Sequence, residues 1–327
     1  MSADTLIHSN KTAIQNNRAS KASVLEVASL DMPLAQKMLG LAAALMMVLV
    51  WSGYFLSLRS GAVTAITTYE IALLRFGLPG LILLPIFVRN FSGICRVPRI
   101  YLLGLVIGGG LPFFWLGALG MELGQVAEGS TLIPGVAPLF VTTMAVLIFN
   151  QPLSGWRLVG LLLIFSGVIA FVANSVAGNT EVSAIVFFLV ASFFWALFAL
   201  SIRQCGLSPL IAASTVAVPT GGVLLLVGIV VQPEFGWFEL TLQQQIGQLV
   251  AQGLGAGLAS GLLFAYAISR LGAEVTSAIG SLTPVAASVI AYFWFSEAVK
   301  LMVVAGIALI SLGVVLASGF IRGRLSE

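Results

Sequence analysis

From Met38 onward the sequence is a succession of long apolar runs separated by short polar breaks. The runs fall at 38–58, 67–88, 101–120, 125–149, 156–173, 182–202, 209–231, 246–268, 273–295 and 300–319. A bilayer core is crossed by about 20 apolar residues in a helix, and lipid tolerates only segments whose backbone groups are satisfied internally. The expectation is an all-α membrane protein with ten transmembrane helices. Composition agrees: 59% of residues are hydrophobic and 8% charged, where a soluble domain carries about a quarter charged residues. The spans consume nearly the whole chain after its polar start, which leaves no room for a soluble catalytic domain.

The residue inventory excludes more. The one histidine, His8, and the two aspartates, Asp4 and Asp31, lie before the first span. An intramembrane metalloprotease, Ser–His protease or aspartyl protease needs those side chains inside the membrane. None of the four lysines, Lys11, Lys21, Lys37 and Lys300, sits in a GxxxxGK[ST] phosphate loop, so the chain carries no P-loop motor. Cys95 and Cys205 form no disulfide framework. Neither a metal nor a cofactor is expected, nor enzymatic activity, nor a nucleic-acid partner.

Residues 1–36 are rich in Ser, Asn, Lys and Ala, and read as a disordered cytoplasmic tail in which His8 is solvated. Residues 320–327 read as a short basic cytoplasmic tail. Orientation follows from the basic residues. With the N-terminus inside, the inner segments hold Lys11, Arg18, Lys21, Lys37, Arg89, Arg96, Arg99, Arg157, Arg203, Arg270, Arg322 and Arg324. The outer loops hold Arg59 and Lys300, and Arg75 lies within a span. Both termini are therefore expected in the cytoplasm, with the chain in a bacterial inner membrane.

The sequence also repeats. Shifted by 146 residues, 128–168 superposes on 274–314, with identities at Glu128/Glu274, Pro138/Pro284, Gly160/Gly306 and Gly167/Gly313 among others. A shift of 144 superposes Trp51 on Trp195, Ser57 on Ser201 and Arg59 on Arg203. The halves are 38–173 and 182–319, with five spans each. An odd number makes the second half enter from the opposite side. This is a 5+5 inverted-topology repeat, an arrangement used by secondary transporters.

The order Trp51-Ser-Gly-Tyr-Phe55, Ala72-Leu-Leu-Arg-Phe76, Pro138-Leu-Phe, Gln151-Pro-Leu and Gly160…Gly167 resembles the EamA-type drug/metabolite transporter superfamily, and the second half repeats it with Pro284, Ser296-Glu297 and Gly306…Gly313. The resemblance covers about 280 residues. It implies ten helices, an inverted repeat and export of small metabolites such as amino acids. The Gly-Glu that often follows the fourth span in this family is Asn150-Gln151 here.

Candidate site residues follow from polar chemistry inside the spans. Arg75 lies ~12 Å down its span at 1.5 Å per residue. Such a charge faces the bundle interior or water. It binds a solute carboxylate or a mobile internal acid, or it ties helices together through backbone carbonyls. Glu70, ~140° away on an α-helix, reads as interfacial. Glu128, Thr131, Gly135, Pro138 and Thr142 share an arc of ~80°, as do Glu274, Ser277, Ser281, Pro284 and Ser288. These stripes either line a central cavity or serve close packing, with the two glutamates complementing helix dipoles. Tyr54, Trp115, Trp195 and Tyr266 are candidate cavity walls, alternatively core or lipid-facing rings. Pro112, Pro138 and Pro284 are candidate bending points. Gly104, Gly108, Gly253, Gly257 and Gly261 have close-packing spacing.

The leading expectation is a secondary transporter that exports amino acids or related metabolites by alternating access. In that reading Arg75 meets the carboxylate and Glu128 the ammonium of a zwitterion. Rivals are a proton-coupled exporter of cationic drugs using Glu128 or Glu70, a passive channel, and a membrane-embedded transferase. The expected partners are a small-molecule solute and the lipid bilayer, with the chain a monomer or homodimer.

Overall fold

The structure, a computed structural model, describes residues 33–149, 153–178 and 180–318, without the side chains of 148, 149, 273, 274 and 318. The two tails, the Asn150-Gln151 step and the Glu274 side chain lie outside the described residues. The described residues are predominantly helical and contain no strand. Among the described residues, nine helices are long and apolar enough to cross a membrane: α1 (Leu34–Ala62), α2 (Thr68–Ile94), α3 (Arg99–Leu123), α4 (Val126–Leu147), α5 (Gly155–Val176), α6 (Val182–Cys205), α7 (Pro209–Val231), α8 (Leu242–Leu271) and α9 (Val275–Phe295). The tenth, α10 (Leu301–Ala317), is apolar but shorter. The end of the bundle where α1 begins is called proximal, the other distal.

Local chemistry sets the helix ends. Thr67 opens α2 with a capping box closed by Glu70, and Thr241 opens α8 in the same way with Gln244. Ser154 and Ser208 cap α5 and α7. Four helices are irregular. α3 breaks at Gly110, just before Pro112 in the first turn of its second segment. α9 breaks at Ser281 and Leu282, before Pro284. α2 and α8 widen into π-helix over Leu73–Gly77 and Leu249–Ala259. Such stretches are rare and frequently mark functional sites. Pro138 sits in an unbroken helix, α4.

The helix contacts carry the repeat's symmetry. α3 packs on α6 as α8 packs on α1, and α4 packs on α6 as α9 packs on α1. α5 and α10, which are mates, pack on each other. A Cβ on Gly160 would stand 2.6 Å from the Gly313 carbonyl oxygen, and one on Gly167 would stand 3.0 Å from that of Gly306. Exchanging each glycine for its repeat mate converts the first pair into the second. Numbers fall along one helix as they rise along the other, so the pair is antiparallel. A twofold axis that exchanges antiparallel helices must run perpendicular to them, hence in the plane of the bilayer. α2 and α7 cross on the same axis: a Cβ on Gly221 would lie 3.2 Å from the Cα of its own mate, Gly77. The small residues permit backbone-on-backbone approach at each crossing. Outside, large apolar side chains such as Val230 and Phe293 are exposed, as lipid contact requires.

Candidate functional site

Among the described residues, two polar clusters stand out within the bundle. The first is at the distal end and joins the halves. Arg59, in the last turn of α1, donates from Nε to Glu297 Oε1 at 2.6 Å and from Nη1 to the Met121 carbonyl at 3.1 Å. Glu297, in the turn between α9 and α10, accepts the Val126 N–H on Oε2 at 3.0 Å. One carboxylate thus fastens the ends of α1 and α4 to the second half. Alongside, the fully buried Glu128 accepts from the Thr180 hydroxyl at 2.7 Å and the Gln125 N–H at 3.1 Å. A distal hollow of about 480 Å³ is lined by Arg59, Glu122, Gln125, Thr180 and Glu181.

The second cluster lies deeper. The Arg75 guanidinium, carried on the π-helical turn of α2, stacks on the Tyr54 ring with Cζ 4.5 Å from its centroid, and lies 5.7 Å from the Phe76 ring. Gln252, on the π-helical stretch of α8, is fully buried and donates to the Tyr54 carbonyl at 3.4 Å. The two widened stretches pack together: a Cβ on Gly257 would stand 2.9 Å from the Arg75 carbonyl oxygen. Arg75 Nε and Nη1, the Tyr54 hydroxyl and Gln252 Oε1 are all buried with no hydrogen-bond partner. Arg75 has no acidic partner among the described residues, and its buried nitrogens bond no backbone carbonyl. Neither an internal ion pair nor a helix tie describes it here.

The other candidates are placed as follows. Thr131 is buried, and its hydroxyl donates to the Ala127 carbonyl of its own helix at 2.6 Å. A Cβ on Gly135 would run into the Ile310 side chain of α10, so this glycine seats a neighbouring helix. Thr142 accepts from Arg157 Nε at 3.1 Å. Ser281 and Ser288 donate to Ala278 and Pro284 carbonyls, and Ser277 is half-buried. α4 and α9 face each other, and their described hydroxyls are largely spent on their own backbone. Trp195 stacks between Phe113 and Phe198 at 5.3 and 5.1 Å. Trp115 and Tyr266 are exposed, the latter beneath the Arg270 guanidinium. Gly261 meets nothing within 4 Å, unlike Gly104, Gly108, Gly253 and Gly257.

Glu70 departs from the interfacial reading. It is buried, and its carboxylate accepts from the Thr67, Gly236 and Trp237 N–H groups. It thereby holds the loop between α7 and α8 against the start of α2. The ion-pair cluster went unseen in the sequence because Arg59 and Glu297 are far apart along it. Gln252 did leave a signal: an amide in the middle of an apolar span, overlooked among its neighbouring glycines.

A cavity of about 1130 Å³ opens between α1, α8 and α9, lined by Leu49, Gly53, Ser57, Gln248 and Trp294 among others. Ser57 and Gln248 bond each other there, side chain to side chain, and Gln248 Nε2 donates to the Ser57 carbonyl at 3.0 Å. None of the ten cavity residues expected from the sequence lines it.

The model of the EamA-like transporter family matches residues 38–173 and, again, residues 182–319. The chain belongs to the EamA-like transporter family. This EamA-like protein is accordingly an integral membrane transporter of small molecules, built from two repeats. No curated protein matches it. A crystal structure covering 90% of this chain, and covered entirely by it, is similar at 17% identity with a TM-score of 0.59, a likeness of fold.

Proposed function

We propose that this EamA-like protein is a secondary transporter that exports small metabolites, amino acids or related compounds, across the inner membrane by alternating access. The observation that carries the proposal is the pair of self-mated crossings, α2 on α7 and α5 on α10, about one in-plane axis. Two halves exchanged by such an axis have two equivalent ways to splay, one open at each end. The Arg59–Glu297 pair supports a distal-closed state, because it ties α1 and α4 to the second half at that end. The placement of basic residues supports cytoplasmic termini, so the distal end faces outward.

Reconstitution tests the reading. Proteoliposomes loaded with labelled amino acids should exchange them for external solute faster than empty-vector controls. Exchange no faster than controls across amino acids, nucleosides and organic cations would reject it. The proton-coupled drug-exporter reading rests on Glu128 or Glu70 as carrier. Glu128 is bonded to Thr180 and Gln125 at the distal end. Glu128→Gln should therefore leave any proton dependence of flux in place, and loss of that dependence would favour the rival.

A further inference from the structure

We infer that Arg75, Tyr54 and Gln252 form the binding site for a carboxylate-bearing solute. The inference rests on the transporter reading for its role in export, but the site itself stands on the orphaned polar groups. Arginine stays protonated in any protein environment. Here its Cα lies roughly 10 Å along α2 from the distal end, at about 1.5 Å per residue. A cation at that depth is expensive unless something neutralises it. The Tyr54 and Phe76 rings compensate it in part. They supply no hydrogen bonds, and the buried Nε and Nη1 have none. Each of these nitrogens belongs to a different donor fork of the guanidinium, so each of the two edges on which a carboxylate docks keeps an unspent donor.

The neighbours complete the recognition. Tyr54, itself buried, offers an unspent hydroxyl to the same anion, and Gln252 offers an unspent amide oxygen to an N–H beside it. The cluster holds unspent donors together with one unspent acceptor, which suits a carboxylate carrying an adjacent nitrogen and disfavours a bare cation. The scaffold is specialised on both sides, since Arg75 and Gln252 each ride a π-helical stretch. The repeat does not reproduce the cluster: at the shift of 144 residues the mates of Arg75 and Tyr54 are Pro219 and Phe198. A residue set needed only to hold the helix frame would be expected in both halves; this one is present once.

Thermal-shift measurements on the full chain in non-ionic detergent test the site. L-leucine and benzoate are compared with L-leucinamide and benzamide, which keep shape and lose the negative charge. The carboxylates should raise the melting midpoint and the amides should not. Arg75→Gln should weaken carboxylate binding by about tenfold or more, and Tyr54→Phe and Gln252→Leu by roughly threefold to tenfold, as expected for a charge-assisted and for neutral hydrogen bonds. Should Arg75→Gln fail to fold, the other two variants decide. No stabilisation by either carboxylate, equal stabilisation by acid and amide, or unchanged binding in the variants would each overturn the assignment. Counterflow of L-leucine in proteoliposomes reads transport separately. Binding without flux would fault the transporter and keep the site; flux without carboxylate dependence would do the reverse.

Discussion

Replacing Glu297 by glutamine unlocks the distal end. In the native protein Glu297 Oε1 meets Arg59 Nε at 2.6 Å and Oε2 meets the Val126 N–H at 3.0 Å. Both partners are donors, whereas an amide offers one acceptor and one donor. Whichever way the new amide turned, an N–H would confront another N–H. Removing one member of a buried pair costs about 3–5 kcal/mol. Here the Arg59 side chain is 22% exposed and that of Glu297 8%, and Arg59 keeps the Met121 carbonyl. Solvent and that second bond reduce the loss to roughly 2–3 kcal/mol. At 1.36 kcal/mol per tenfold, the closed state loses population by about 30- to 150-fold relative to the open one. A reporter cysteine at Ala127, buried beside Val126, with Cys95 and Cys205 changed to serine, measures this through its rate of labelling by a membrane-impermeant maleimide. Labelling should accelerate by that factor in Glu297→Gln. A double-mutant cycle with Arg59→Met should return a coupling of the same size. Labelling within twofold of the parent, or a coupling near zero, would refute the lock.

The helix crossings and the clasped loop make further predictions. Gly160→Ala places a methyl 2.6 Å from backbone atoms of Gly313 and Ala317, which cannot swing aside. It should cost about 1–3 kcal/mol of stability, read as a lowered melting midpoint in detergent, and Gly313→Ala should do likewise because it enters the same crossing. Glu70→Ala orphans the Thr67, Gly236 and Trp237 N–H groups together. Limited proteolysis should then cut the 232–241 loop faster, with a stability loss of about 2–4 kcal/mol for the buried donors left unpaired.

The frame was legible in the sequence because its signals are periodic. Apolar runs of membrane length marked the spans. Gly160/Gly306 and Gly167/Gly313 marked the halves, and the same four glycines form the α5–α10 crossing. The site was less legible. A helical wheel grouped Thr131, Gly135 and Thr142 correctly onto one buried face, but a wheel does not show what covers that face. Ile310 covers Gly135, and Thr131 turns to its own backbone. The wheel also assumed α-helical pitch through Glu70 and Arg75, where the chain widens over Leu73–Gly77. Pairings such as Arg59 with Glu297 depend on chain folding between remote segments, and no local pattern announces them.

The halves share a frame and differ in chemistry, and that difference has a direction. Symmetry alone would make the two open states equal in energy. At the distal end Arg59 finds Glu297. The proximal counterpart of Arg59 is Arg203, and the counterpart of Glu297 is Gln151. A neutral amide cannot form that ion pair, and on the alternating-access reading this difference between the ends favours a distal-closed resting state. Gln151→Glu supplies the missing acid. Arg203 is exposed, so the new pair is worth only about 0.2–1 kcal/mol. The resting balance should move toward the distal-open state by roughly 1.4- to fivefold, and the Ala127 reporter should label faster by that factor. Slower or unchanged labelling would mean that the acid at Glu297 sets no bias between the two states, and that the resting conformation is decided elsewhere in the bundle.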